Sequence, residues 1–187
     1  MSKRVAIIVA NPGVSSTLGW PVGFWASELI HPYHEFIQEG YEVTIASPRG
    51  GEVKMDTLSD PRDESGYSSS DELSLKYLQK EEFLVLLKNT PPVSELSTGD
   101  FDAIVVAGGQ SPMFTFEGEK GLHHIFSDFY LSGKPAVALC HGVAVLRWAV
   151  DGEGKPIVQG KKVTGFSNAE EDEADASVGQ KIMPWRI

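Results

Sequence analysis

Residues 136–144 read Ala-Val-Ala-Leu-Cys-His-Gly-Val-Ala. A short apolar run ends at Cys140, the only cysteine of the chain, and a helical segment punctuated by Gly142 begins there. This pattern predicts a buried strand that turns sharply into a helix, with the turn residue on a strained elbow near the positive end of the helix dipole. Such an environment is expected to lower the pKa of the thiol toward the nucleophilic thiolate. Cys140 is therefore a candidate nucleophile, although a lone cysteine is also often an inert buried side chain.

Working outward from this segment, four apolar runs predict strands that are buried on both faces: 4–10, 42–46, 103–107 and 136–139. Segments with helical spacing lie between them, at about 22–38, 72–88 and 120–131, and Pro32 is expected to break or kink the first. The alternation predicts an α/β fold, in which a doubly wound, mostly parallel, flavodoxin-like sheet carries helices on both faces. Ligand sites of such sheets form at the carboxyl ends of the strands.

Three further segments complete the predicted organisation. The stretch 50–71 is polar and rich in Gly, Ser and Asp, which is typical of a long surface loop. Residues 152–162 predict a small β-hairpin insertion, and 163–166 predict another strand or an edge segment.

Length and charge restrict the class of protein. A chain of 187 residues is expected to form one domain, 1–187. The net charge of −10 repels nucleic acid and anionic membranes, so neither is an expected partner. The N-terminal apolar run has six residues, too few for a signal peptide or a membrane span, and the single cysteine excludes an intramolecular disulfide. The expected location is cytoplasmic.

Five segments in a fixed order resemble a known family: 23–33, 46–51, 102–109, 138–142 and 163–171. Together they resemble the ThiJ/PfpI superfamily, whose fold is similar to that of class I glutamine amidotransferases, and more narrowly its chaperone and glyoxalase III branch. Amidotransferases of this fold carry a glutamine shortly after the nucleophile and a distant His-x-Glu pair. Neither occurs here in the matching place, which disfavours glutaminase activity. Relatives continue into a C-terminal helix, which the domain is expected to lack.

The resemblance implies a role for each site residue. It implies Cys140 as nucleophile, His141 as its base, and Glu171 as the group that orients the imidazole, with Glu170 as the alternative. The run 170–173 also fits an acidic helix N-terminus.

Two further parts of the site concern Glu28 and a pair of glycines. The resemblance places Glu28 beside the sulfur as a general acid and base, although its spacing alone fits a solvated helix face. The amides of Gly108 and Gly109, together with that of His141, are expected to form an oxyanion hole. The two glycines also fit a tight turn.

The histidines give little support for a metal site. His31 and His34 lie three residues apart beside Glu35, but no third ligand is evident, so we expect no metal and no cofactor. His123 and His124 are adjacent on a predicted helix and point about 100° apart, so at least one is expected to be solvated. Some aromatic residues are expected to line a pocket over the cysteine or to belong to the core: Trp20, Trp25, Tyr33 and Phe114.

The resemblance and the residues together favour an enzyme that converts small 2-oxoaldehydes, such as methylglyoxal, to hydroxy acids. The same site is expected to release early glycation adducts from proteins. One alternative is a cysteine peptidase or amidase with the same nucleophile. Another is a stress chaperone or a redox sensor in which Cys140 is oxidised. A homodimer is expected from the resemblance alone.

Overall fold

The computed structural model describes residues 2–16 and 19–177, and a four-stranded parallel sheet lies at its centre. The strands in chain order are β1 (Arg4–Ile8), β2 (Gly13–Val14), β3 (Pro21–Val22), β4 (Glu42–Ala46), β5 (Ala103–Val106) and β6 (Ala136–Ala138). The sheet order is β4-β1-β5-β6, and β2 pairs with β3 in a separate antiparallel hairpin. The four predicted strands are confirmed, and three of them end one or two residues earlier than predicted.

Helices connect the strands on both sides of the sheet. They are α1 (Ala26–Gln38), α2 (Glu72–Leu78), α3 (Glu81–Lys88), α4 (Ser111–Thr115), α5 (Lys120–Leu131) and α6 (Asn168–Ser177). Short 3-10 helices occur at Thr57–Ser59, Val93–Glu95, Thr98–Asp100, Phe116–Gly118 and Cys140–Arg147. In the part of the chain that the structure describes, none of the helices is both long enough and apolar enough to cross a membrane.

Two apolar cores flank the sheet because alternate residues of each strand point to opposite faces. Ala6 and Ile8 of β1 pack into one core, which α5 covers with Leu122, Phe126 and Phe129. Val5 and Ile7 pack into the other core, which α1 covers with Leu29 and Ile30. The predicted doubly wound architecture is confirmed. Strand β6 differs from the prediction of full burial, because it lies at the sheet edge and leaves Val137 45% exposed.

Two predicted helices differ from the structure. Helix α1 continues through Pro32 and ends at Gln38, so the predicted break is wrong, whereas the alternative of a kink stays a prediction. Leu29 and Ile30, one turn before the proline, are fully buried, and their burial offsets the hydrogen bond that proline cannot donate. The segment 72–88 forms two helices, which are separated at Gln79 and Lys80.

The small hairpin lies earlier in the chain than predicted. It consists of β2 and β3, whereas 152–162 forms turns with one antiparallel bridge from Val150 to Pro156. The Asp151 carboxylate accepts hydrogen bonds from the amides of Glu153 and Lys155, which closes a turn, and Pro156 has no N–H with which to extend a ladder. Residues 163–166 form no strand, and Val163 is 60% exposed.

The loop 50–71 is partly buried, and it positions the start of α1. The N-cap residue of α1, Trp25, supplies no side-chain hydrogen bond. Instead the Ser59 hydroxyl accepts from the Ala26 amide at 3.0 Å and donates to the Asp56 carbonyl at 2.7 Å. The loop therefore satisfies a backbone donor at the N-terminus of α1 and fixes where that helix begins.

Truncation of Phe126 to alanine is expected to destabilise the fold by about 3–5 kcal/mol. The ring is buried against the sheet, so its removal leaves a cavity. Urea denaturation followed by circular dichroism measures this change. Leu131→Ala on the same helix is the control, because Leu131 is 54% exposed, and it is expected to change stability by less than about 1 kcal/mol. Equal losses in the two variants would contradict the assignment of Phe126 to the core.

Candidate active site

Cys140 lies on a sharp turn at the carboxyl end of β6. Its φ angle is +51°, which makes it the one non-glycine residue with a positive φ among the described residues. The 3-10 helix Cys140–Arg147 begins at this residue, and the Gly142 amide closes the turn on the Leu139 carbonyl. A left-handed conformation is costly for a side chain with a Cβ, and such strain often occurs at active sites. The elbow predicted from the sequence is present in this geometry.

The imidazole of His141 joins the sulfur to an acid. Its Nδ1 lies 3.4 Å from Cys140 Sγ, and its Nε2 lies 2.7 Å from Glu171 Oε1. A carboxylate can only accept, so in the neutral imidazole Nε2 carries the hydrogen and Nδ1 presents its lone pair to the sulfur. His141 and Glu171 are both buried, and the ring of Phe166 packs on the imidazole with a centroid distance of 4.7 Å. Glu171 thus binds the edge of the imidazole, and Phe166 packs on its face.

The neighbouring acid, Glu170, has a different partner. Its Oε2 accepts from the Ser167 amide at 2.7 Å, and its own amide donates to the Ser167 hydroxyl at 3.3 Å. This is a capping box at the start of α6. Of the two acids that the sequence left open, the structure places Glu171 on the imidazole and Glu170 on the helix cap.

Glu28 reaches the sulfur from the first turn of α1. Its Oε2 accepts from the Gly108 amide at 2.7 Å, and its carboxyl group lies beside Cys140, since both adjoin the Cα of Gly108. Burial raises the pKa of Glu28, while the hydrogen bonds from Cys140 and Gly108 oppose the increase. The solvated helix face that spacing alone suggested is therefore not where this side chain lies.

Gly108 and Gly109 follow β5, and their backbone amides have different hydrogen-bond partners. A Cβ at Gly108 would lie 2.7 Å from Glu28 Oε2 and 2.8 Å from Cys140 Cβ, so only glycine leaves room for both. The Gly108 amide is bonded to Glu28 and is not free to bind a substrate oxygen, which corrects the expected donor set. The amides of Gly109 and His141 donate toward the sulfur.

The electrostatics of the sulfur differ from the sequence prediction. Burial raises the pKa of Cys140 to about 12, and the adjacent Glu28 carboxylate adds to the increase by repulsion. The amides of His141 and Gly109 lower it, but by less. The expectation that the helix start would lower the thiol pKa is wrong, because the desolvation and the neighbouring charge outweigh two amide donors.

The remaining histidines bind neighbouring side chains or the backbone. His31 Nε2 contacts Asp71 at 2.9 Å, and His34 Nδ1 contacts the Tyr77 hydroxyl at 3.0 Å. His123 is buried and stacks on Trp148, whereas the side chain of His124 is 81% exposed, as the prediction of one solvated histidine requires. Over residues 2–16 and 19–177 no group of three or more His, Cys, Asp or Glu could hold a metal ion.

Three of the aromatic residues that were predicted for a pocket over the cysteine or for the core lie in different surroundings. Tyr33 packs among Tyr77 and Phe83, away from the sulfur, and Trp25 contacts Tyr67 edge-on at 6.1 Å. Trp20 lines a separate cavity beside Asp56.

Sequence reasoning missed one acid near the site. Asp56 is buried, and its two carboxylate oxygens accept from the amides of Gly23 at 2.8 Å and Gln110 at 2.6 Å. Burial raises the pKa of Asp56 to about 7, and the charge of Glu28 adds to the increase. In the sequence it is one of several acids in a polar stretch, and no spacing or motif distinguishes it.

Known proteins are similar to this chain over most of its length. Residues 20–183 match the sequence profile of the DJ-1/PfpI family. The chain is 31% identical over 172 residues to the protein named Glyoxalase 3 of Candida albicans, covering 90% of this chain and 71% of that protein. It is 31% identical over 156 residues to a glutathione-independent glyoxalase of Schizosaccharomyces pombe, covering 82% of this chain and 62% of that protein. The chain thus spans about two thirds of the length of these two relatives.

A solved structure is similar over nearly the whole chain. The X-ray structure of the Francisella tularensis Rapid Encystment Protein of 24 kDa superposes with a TM-score of 0.82 at 30% identity. The match covers 99% of this chain and 78% of that one.

Replacing Glu28 with glutamine is expected to lower the pKa of Cys140, because it removes the negative charge that opposes thiolate formation. The midpoint of the pH dependence of Cys140 alkylation by iodoacetamide should therefore move to lower pH. Glu35→Gln is the matched control, since Glu35 is exposed on the same helix, and it should leave the midpoint unchanged. An unaltered midpoint in Glu28→Gln would show that the two groups are not coupled.

Proposed function

Since the chain belongs to the DJ-1/PfpI family, we propose that it is an enzyme that converts small 2-oxoaldehydes, such as methylglyoxal, to hydroxy acids without glutathione or another cofactor. One observation carries the proposal. Glu28, Cys140, His141 and Glu171 form one continuous chain of contacts, with the sulfur between a carboxyl group and an imidazole. This arrangement supplies a nucleophile and two groups that can accept its proton.

In the first step Sγ of Cys140 forms a bond to the aldehyde carbon. The thiol proton passes to the Glu28 carboxylate or to Nδ1 of His141, and from there to the aldehyde oxygen, which gives a hemithioacetal. Because the pKa of the thiol is raised, attack and proton removal occur together. The amides of Gly109 and His141 face the sulfur, and in this proposal they donate to the oxygen on which negative charge develops.

In the second step Glu28 moves a proton between two adjacent carbons. Its carboxylate removes the proton from the former aldehyde carbon, giving an enediolate, and returns that proton to the neighbouring carbon. One hydroxyl proton shifts to the other oxygen, so that a thioester with an adjacent hydroxyl group is formed and Glu28 is unchanged. A carboxyl group whose pKa is raised by burial suits this exchange in both directions.

In the third step water hydrolyses the thioester. His141, held by Glu171, takes a proton from the attacking water through Nδ1 and returns it to the leaving sulfur. The C–S bond breaks, the thiol is restored, and the hydroxy acid leaves. The proposal includes early glycation adducts on proteins as a second substrate class, and a homodimer in the cytoplasm as the working form.

Replacing the nucleophile or the proton carrier tests this function directly. Cys140→Ala is expected to abolish the conversion of methylglyoxal to lactate in the absence of glutathione. Glu28→Gln is expected to reduce kcat by at least about a hundredfold, because the glutamine side chain cannot carry the proton. This loss is expected although the Cys140 thiol of the variant is more acidic. The control Glu35→Gln should retain full turnover. If the protein leaves methylglyoxal unchanged but cleaves amide substrates with Cys140, the peptidase or amidase alternative replaces this proposal.

The two adjacent acids of α6 provide a second test. Glu171→Gln keeps an acceptor for the imidazole N–H but removes the charge that stabilises the imidazolium, so kcat should fall by about ten- to a hundredfold. Glu170→Gln alters only the helix cap and should change turnover by less than about twofold. Steady-state kinetics with methylglyoxal measure both. Similar losses in the two variants would contradict the orienting role of Glu171.

A further inference from the structure

Asp56 is a buried carboxyl group that the proposed reaction does not use. It lies in the loop 50–71, between β4 and α2, and its residue surface is 2% exposed. A carboxyl group is seldom buried without a specific set of partners, because desolvation disfavours its charge. The partners of Asp56 indicate what it does.

Each oxygen of Asp56 holds a different backbone segment of the site. Oδ1 accepts from the Gly23 amide, which lies between β3 and α1, and Oδ2 accepts from the Gln110 amide, which follows β5. The residues directly before Gln110 are the two glycines. Gly109 donates its amide toward the sulfur, and Gly108 donates its amide to Glu28.

The backbone around Asp56 also fixes the helix that carries Glu28. The Asp56 amide donates to the Phe24 carbonyl at 2.8 Å. Its carbonyl accepts from the Ser59 hydroxyl, whose oxygen in turn accepts from the first amide of α1. The turn after β5 and the start of α1 therefore meet at this one residue.

Asp56 binds both amides only when it is ionised. On protonation one of its oxygens becomes a hydroxyl group, which is a poor acceptor for an amide N–H. Burial holds the pKa of Asp56 at about 7, against the two amide donors, and Glu28 of α1 is the charged group that acts on it. A cavity of about 280 Å³, lined by Trp20, Thr57 and Gln110, also adjoins Asp56.

We propose that Asp56 is a positioning residue, which in its ionised form holds the Gly108–Gln110 turn and the start of α1 together so that Glu28 and the Gly109 amide both face Cys140. The effect on turnover rests on the function proposed above. The coupling of the two backbone segments through Asp56 does not rest on that function, and it is measured separately.

Amide hydrogen exchange tests the coupling without any substrate. As the pH is lowered through the pKa of Asp56, the protection factors of the Gly23 and Gln110 amides, corrected for intrinsic exchange, should fall by about tenfold. The amides of Gly51 and Thr90 are the internal control, because they donate to each other's carbonyl oxygens and these do not titrate. The proposal is overturned if the protection of Gly23 and Gln110 follows that of the control pair. This measurement uses the wild-type protein and does not depend on the folding of a variant.

Turnover of Asp56→Asn tests the consequence for the site. The kcat for methylglyoxal should fall by about tenfold with KM little changed, since one amide loses its acceptor. The acidic limb of the kcat profile should move to lower pH, because the titrating group is gone and the loss of its charge lowers the pKa of Glu28. Asp63→Asn, an acid of the same loop whose carboxylate accepts from the Ser65 amide, is the control and should match the wild type.

Two outcomes are distinguished. A loss of kcat with an unshifted pH profile would assign Asp56 a purely structural role and overturn the proposal. If the wild-type protein consumes no 2-oxoaldehyde, the proposed function fails while the hydrogen-exchange result still decides the role of Asp56.

Discussion

The contact between the Glu28 carboxyl group and the Cys140 sulfur is the constraint on which the site depends. Both groups are acids that burial disfavours in their charged forms, so neither would lie here without backbone donors. The sheet supplies these donors because β5 and β6 run side by side in parallel, with Val106 opposite Ala138. The residues that follow each strand, Gly108 and Cys140, therefore meet at the same edge. Gly108 lacks a Cβ, and the carboxylate of Glu28 occupies the space that a side chain would need.

The raised pKa of the thiol changes how this site can react. A cysteine with a lowered pKa is a thiolate at rest and is open to any electrophile or oxidant. Cys140 is held as a thiol between Glu28 and the Nδ1 of His141, so it becomes a nucleophile only when a proton acceptor acts during the attack. A substrate whose own carbonyl oxygen takes the proton fits this requirement.

Much of the architecture could be predicted from the sequence because its signals are local. The continuous β-branched runs fix β1 and β4, and helical spacing fixes α5. The resemblance that the five ordered segments carry also predicted that Glu28, His141 and Glu171 lie near Cys140. The predictions that failed depend on tertiary surroundings. The elbow is encoded locally, but the pKa of Cys140 depends on burial and on Glu28, which lies 112 positions earlier in the chain. The hairpin expected at 152–162 does not form, because the Asp151 side chain competes for the backbone amides of the turn.

The least predictable feature is the dependence of a helix on a distant loop. Helix α1 has no capping side chain of its own, so a local interpretation of its N-terminus places its start too early, at about residue 22. The cap is supplied by Ser59, more than thirty residues later, in a stretch whose composition suggests only solvent exposure. Glu28 lies in the first turn of this helix, where a shift of the start by one residue would rotate its side chain by about 100° away from the sulfur. The geometry of the site is therefore determined by the closure of the loop 50–71 as much as by the residues that touch the sulfur.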